Sequence, residues 1–259
     1  MSEPATLISI ATSPWSEKAR WALDHHRIPY VEKEFKPMFS ALPLRIRLRR
    51  GRGRLTVPVL LAGDEAYTDS TDIAQFAERH GAGAPLFRRG EEEEIARWND
   101  VAERAMQAGR ALLLLRLAAS GPALEEALAG LVPRPLRRAL APVALFGVRF
   151  LQHKYETSEG EDEAARRAEL RDALLELRAA LADGRAHLLG ELSYADIAMA
   201  AALQFVQPMD TPHIPMGPAT RRVWTDLELA SELNDLVEWR DQLYAHHRHA
   251  AGEARRRYA

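Results

Sequence analysis

The chain has 259 residues, 47% hydrophobic and 28% charged, with Lys plus Arg at 35, Asp plus Glu at 37 and a formal net charge of -2. Such a length and balance give an ordinary globular protein of one or two domains with a sizeable core, and no global pull toward nucleic acid or a membrane. The absence of cysteine excludes disulfides, thiolate metal sites and a protein thiol as nucleophile or redox couple, so thiol chemistry would need a thiol carried by a ligand.

Met1-Ser2-Glu3-Pro4 is not a basic segment followed by an apolar signal core, and a cytoplasmic location is expected. Residues 6–10, Thr-Leu-Ile-Ser-Ile, read as a buried strand. A turn through Ser13 and Pro14 follows, then a helix from Ser16 to about His26 with Ala19, Ala22 and Leu23 on its apolar face and Ser16 as N-cap. Residues 30–35 alternate as a second strand. A basic segment holding Arg45, Arg47, Arg49, Arg50, Arg52 and Arg54 reads as helix then loop. Residues 56–61 make a strand with Pro58 near its start, Gly63-Asp64 is a hairpin signal, 66–68 return, and Asp69-Ser70-Thr71 opens a helix ending near Gly81.

Beyond the loop at 81–85 only helices are expected. Residues 91–117 form a core helix; Pro122, Pro133, Pro135 and Pro142 break the region up to Tyr155; 164–182 are amphipathic; Ser193 to Asp196 head a helix through Phe205. A proline-rich loop at 208–218, a last helix over 226–247 and a frayed tail complete the chain. The apolar runs at 111–119 and 139–151 fall short of the roughly 20 residues that span a bilayer and read as buried helices.

The small mixed domain, the helical remainder, and the marks Ser13-Pro14-Trp15-Ser16 with Arg20, Val57-Pro58, Asp69-Ser70 and Leu189-Gly190 before Ser193-Tyr194-Ala195-Asp196 resemble the glutathione transferase superfamily. The resemblance implies an α/β thioredoxin-like N-terminal domain, residues 1–84, that binds glutathione, followed by an all-α helical-bundle domain, residues 90–259. It implies a serine-type enzyme in which Ser13 donates a hydrogen bond to the sulfur of glutathione. A free thiol is mostly protonated at neutral pH, and a hydroxyl at a helix N-terminus favours the thiolate. Ser16 is the competing candidate, with helix capping as its simpler reading.

By the same resemblance, the Val57 backbone, shaped by a cis bond to Pro58, pairs with the cysteinyl unit. Ser70 would bind the γ-glutamyl carboxylate, Asp69 its amino group, and Trp15 would lie beside the site. A bland alternative has Pro58 simply starting a strand, but its position favours the functional reading; Asp69 capping a helix is the bland reading of the second motif, and there both readings can hold together. Trp15, Phe39, Met106, Arg110, Met209 and His213 are expected around the second-substrate pocket. The 45–54 segment reads most simply as a solvated, exposed helix and loop; alternatively one of its arginines meets the glycyl carboxylate, or the loop selects an anionic second substrate. Ser193 and Asp196 have capping-box spacing, which outweighs a catalytic pair.

The expected activity is attack of the glutathione thiolate on a small hydrophobic electrophile, a detoxification type of reaction, with glutathione as co-substrate and no metal. The expected partners are those two small molecules and a second copy of the chain in a homodimer, with no nucleic acid and no membrane. A non-catalytic glutathione-binding or regulatory protein is the alternative.

Overall fold

The computed structural model describes residues 4–48, 55–155, 163–248 and 255–257. Alternation of side chains along the first strand, β1 (Ala5–Ser9), creates two apolar layers. Leu7 joins the core formed with Trp21 and Leu23 of α1 (Pro14–His25) and Ile73 and Phe76 of α3 (Ser70–His80). Ile8 joins the opposite cluster with Leu44 of α2 (Pro37–Arg47) and Val59 and Leu61 of β3 (Val59–Ala62). With β2 (Tyr30–Glu34) and β4 (Glu65–Tyr67) the sheet runs β4-β3-β1-β2. β1 is parallel to β2 and antiparallel to β3, so Leu7 lies opposite both Glu32 and Leu60. This is the α/β thioredoxin-like layer expected from the sequence.

The helical part is built on α4 (Glu92–Ala119), which packs against α7 (Glu163–Ala180) and α8 (Tyr194–Ala202). Every residue of α8 is buried, because its sequence is apolar on all sides apart from Asp196. Asp196 accepts from both the Ser193 N–H and Oγ at 2.8 Å, which makes the pair a structural cap as its spacing predicted. The remaining helices complete the unit: α5 (Gly121–Ala127), α6 (Arg134–Lys154), α9 (Pro218–Trp224), α10 (Leu227–Glu232) and α11 (Asn234–His247).

Several expectations are corrected. Ser13, not Ser16, is the N-cap of α1, so the helix begins at the proline that the sequence reading put in the turn. Pro142 does not break α6. It and Arg138 are both exposed, so the carbonyl that loses its partner faces water. The apolar run 139–151 is not a buried helix; Val143, Phe146 and Phe150 are exposed. The last helix is two, because Asp226 caps α10 through the Leu229 N–H and the backbone turns at Leu233. The tail is not wholly frayed, since β5 (Arg255–Arg257) pairs in parallel with β2. Arg49, Arg50, Arg52 and Arg54 lie outside the described residues, as does most of the acidic stretch after Tyr155.

α1 lies between the two halves, and its charged residues are buried there. Lys18 Nζ donates to Asn99 Oδ1 at 2.8 Å and Glu103 Oε1 at 2.9 Å, both on α4. Glu17 accepts from Arg20 Nε at 2.8 Å and from Arg248 Nε, beyond α11, at 2.7 Å. Burial alone would push the Glu17 carboxyl up, but Arg248 and Arg20 outweigh it and hold it down at about 2.

A carboxyl whose pKa is depressed on folding stabilises the native state above its unfolded pKa, and the contribution is lost as pH falls through the folded value. Stability is therefore expected to decline as pH drops from 4.5 toward about 2, the window of the Glu17 shift, by on the order of 3 kcal/mol. Thermal melts of wild type and Glu17→Gln across a pH series check this. The variant should melt lower at neutral pH and lose less over that window.

Candidate active site

The turn between β1 and α1 is held from below by Arg20. Its guanidinium donates to the Ala11 carbonyl at 2.8 Å and to Glu32 Oε1 at 3.1 Å, and Ser9 Oγ donates to the same Glu32 oxygen at 2.7 Å. That anchorage presents Ser13 at the helix start. Ser13 Oγ accepts from the Ser16 N–H at 3.4 Å, which leaves its own proton available for donation. Ser16 is fully buried, and its Oγ accepts from the Ile10 N–H at 3.2 Å. Only Ser13 of the two borders the cavity described next.

A cavity of about 510 Å³ opens between the two halves, within the range of small-molecule sites. One side is lined by Ser13, Trp15, Val57, Pro58, Asp69 and Ser70, so the fold brings the residues predicted for the glutathione side to one place. The Val57–Pro58 peptide is cis. Asp69 caps α3 by accepting from the Thr71 N–H at 2.7 Å. Ser70 is 1% exposed, and its Oγ has no hydrogen-bond partner among the described residues. A buried orphan hydroxyl at a helix N-terminus suits an anionic ligand group, since it adds a donor to the free N–H groups there.

The other side is apolar and aromatic. Leu113 and Leu117 of α4, Leu151, Phe205 and Trp224 line it. Phe205 stacks on Trp224 at 5.0 Å between centroids and meets Trp15 edge-on at 6.1 Å. The Arg110 guanidinium lies over Tyr155 at 3.8 Å and Trp15 at 4.9 Å. Trp15 is fixed from behind by Nε1 donating to Glu103 Oε2 at 2.8 Å.

Of the residues expected around the second pocket, Trp15 and Arg110 line the cavity. Met106 is core instead, Met209 and His213 are not among the lining residues, and the Phe39 side chain lies outside the described set. Tyr155, Phe205 and Trp224 were missed. They sit at ends of three separated elements, and no local pattern marks such positions. His25 and His246 bond to backbone carbonyls, His187 meets His247 at 3.0 Å, and His249 lies outside the described residues. Among the described residues no group of three or more His, Cys, Asp or Glu is placed to hold a metal ion.

A thioredoxin-like N-terminal part with its cis-proline and helix starts thus faces a mainly helical C-terminal part across the cavity. Residues 12–80 match the family model for the glutathione S-transferase N-terminal domain. That domain covers about a quarter of the chain, and over nearly its whole length the chain shares the fold of solved glutathione transferases. Among solved structures, glutathione transferase GSTFuA2 from Phanerochaete chrysosporium is 18% identical with a TM-score of 0.62, covering 96% of this chain and 100% of that one. The glutathione S-transferase CsGST63524 of Ceriporiopsis subvermispora, in complex with glutathione, is 18% identical with a TM-score of 0.58, covering 92% and 98%. The beta-etherase LigF from Sphingobium sp. strain SYK-6 is 16% identical with a TM-score of 0.62, covering 94% and 96%. No curated protein matches the chain.

The aromatic wall depends on a glycine. A Cβ on Gly109 of α4 would stand 2.4 Å from the Phe205 ring, so only glycine admits the ring against the helix. Gly109→Ala is expected to lower stability by about 1–2 kcal/mol despite its better helix propensity. Denaturant unfolding reads the loss, and near-ultraviolet circular dichroism reads the displaced Phe205–Trp224 pair.

Proposed function

We propose that the protein binds glutathione on the Ser13 side of the cavity and directs its thiolate at a small hydrophobic electrophile held on the aromatic side. The observation that carries this reading is the convergence of Ser13, the Val57–Pro58 cis bond and the orphaned Ser70 Oγ on one cavity wall. Bound glutathione supplies a thiol that becomes nucleophilic when deprotonated. Ser13 contributes a hydrogen bond to that sulfur, and the N-terminus of α1 contributes favourable dipoles. Ser13 is a donor here and not the attacking group.

In this reading Ser70 and the α3 N-terminus take the γ-glutamyl carboxylate, Asp69 takes the amino group, and the Val57 backbone pairs with the cysteinyl unit. The glutathione-bound relative from Ceriporiopsis subvermispora supports the choice of ligand. The flat rings of Trp15, Phe205 and Trp224 suit an electrophile with an aromatic or other planar apolar portion. A homodimer and a cytoplasmic setting belong to the same reading.

The test is a titration of glutathione, with ultraviolet thiolate absorbance followed in wild type and Ser13→Ala. Wild type should bind and show a thiolate at neutral pH. Ser13→Ala should still bind, lose the thiolate signal and lose about 100-fold in kcat/KM. Absence of binding at millimolar glutathione rejects the proposal. Binding with a thiolate that does not depend on Ser13 favours a non-catalytic glutathione-binding protein.

Trp224 lines only the helical side, so Trp224→Ala should raise KM for the electrophile by about tenfold. Its affinity for glutathione should stay within about twofold of wild type, as read by steady-state kinetics and calorimetry.

A further inference from the structure

α9 carries Trp224 to the cavity, yet it has little means of holding itself there. It is seven residues long, and Trp224 is its one buried residue. An isolated helix of that length is unstable in water, and a single buried side chain does not fix where the helix lies. Its place is set instead by polar contacts at its two ends.

Glu126 of α5 holds the first end. A helix start leaves N–H groups without partners, and Pro218 has none to leave. The Arg221 N–H reaches the Gly217 carbonyl at 2.9 Å, and the two between, of Ala219 and Thr220, donate to Glu126 Oε1 at 3.3 Å and Oε2 at 2.6 Å. Partial burial would raise the Glu126 carboxyl, but hydrogen bonds from Thr220 and Ala219 outweigh it and hold it down. The carboxylate sits so close to the chain that a Cβ on Gly217 would overlap its carboxyl carbon. Gly217 has φ -75° and ψ 166°, a backbone conformation open to any residue, so glycine serves the approach of Glu126 and not the turn.

Asp226 holds the other end. It lies two residues beyond Trp224 and is buried. Its carboxylate accepts from Arg116 of α4 at 2.8 Å, from Arg167 of α7 at 2.8 and 2.9 Å, and from the Leu229 N–H at 3.0 Å. A buried carboxylate between guanidiniums of two separate helices has little freedom to move. The Asp226 N–H donates to the Val206 carbonyl at 2.8 Å, which sets residues 205–206 beside 224–226. Phe205 and Trp224 stack within 4° of parallel next to that bond.

We propose that Glu126 and Asp226 are positioning residues for the aromatic side of the cavity: they fix the two ends of α9 and so set the plane of Trp224 against which a flat substrate ring lies. Neither lines the cavity, and both act through Trp224. The inference rests on the reading of that side as the electrophile's seat, but the positioning is measurable without glutathione.

The probe is nitronaphthalene, a planar nitroarene that quenches indole fluorescence on contact. It is titrated against the full chain without glutathione, with saturable quenching of tryptophan fluorescence as the signal. Glu126→Ala and Gly217→Ala are expected to weaken its binding about tenfold, and Asp226→Asn by a similar factor. Glu126→Gln keeps one acceptor oxygen and should lose only about threefold. Glu232→Gln breaks the ion pair with Arg171 at the far end of α10 from Asp226 and should leave the affinity within about twofold. Glutathione affinity, read by calorimetry, should stay within about twofold of wild type in every variant. A role confined to stability would move the melting temperature and leave probe affinity untouched.

Unchanged probe affinity in folded Glu126→Ala and Gly217→Ala overturns the proposal, including where Asp226→Asn fails to fold. So does a wild type without saturable quenching, or a fall in glutathione affinity that matches the fall in probe affinity, since either removes the aromatic side as a separately positioned seat. Failure of the functional reading looks different: wild type then binds no glutathione, while the order of probe affinities among the variants persists.

Discussion

The burial of three charged side chains on α1, at Glu17, Lys18 and Arg20, is the constraint on which the rest of the molecule depends. A helix placed between two domains cannot leave such groups in water, and an unpaired buried charge would cost several kcal/mol. Each is matched by a residue distant in sequence: Glu17 by Arg248, Lys18 by Glu103, and Arg20 by Glu32. The pairs do more than neutralise charge. They lock β2, α4 and the residue after α11 onto one helix, and Arg20 also grips the Ala11 carbonyl just ahead of Ser13. The position of the Ser13 hydroxyl is therefore set by contacts that run through both halves of the chain.

The cavity inherits a division of labour from that arrangement. Its thioredoxin-like side presents helix starts, a cis-proline and hydroxyls, which are polar features of the backbone's own making. Its helical side presents rings and aliphatic chains held by packing. The two sides therefore differ in what they offer a ligand: hydrogen-bonding groups on one, apolar surface on the other. Glu103 links the two sides, because it receives both Lys18 at the domain contact and Trp15 at the cavity wall.

α6 extends the same logic to the surface. Its inner face completes the core around α4 and α5, Leu151 borders the cavity, and its outer face is apolar.

How much of this could be read from the sequence depended on whether the signal was local. The strand and helix order of the first 80 residues, the Asp69 cap and the Ser193–Asp196 box were legible, because turn residues, caps and periodicity act within a few positions. The family resemblance rested on the same short-range marks, and with it came Ser13, Trp15, Val57, Pro58, Asp69 and Ser70. The exact cap of α1 was misread because Ser13 and Ser16 are chemically alike, and only the backbone angles and the Ile10 contact separate them. Pro142 was read as a breaker because proline's cost in a helix depends on whether the freed carbonyl meets water. By itself, then, the sequence determined the fold class and the polar wall of the cavity. Tertiary structure alone decided the aromatic wall, the ion pairs of α1 and the exposure of α6, because each is a meeting of residues far apart in the chain. Periodicity shows that a helix has an apolar face, but not whether anything covers it.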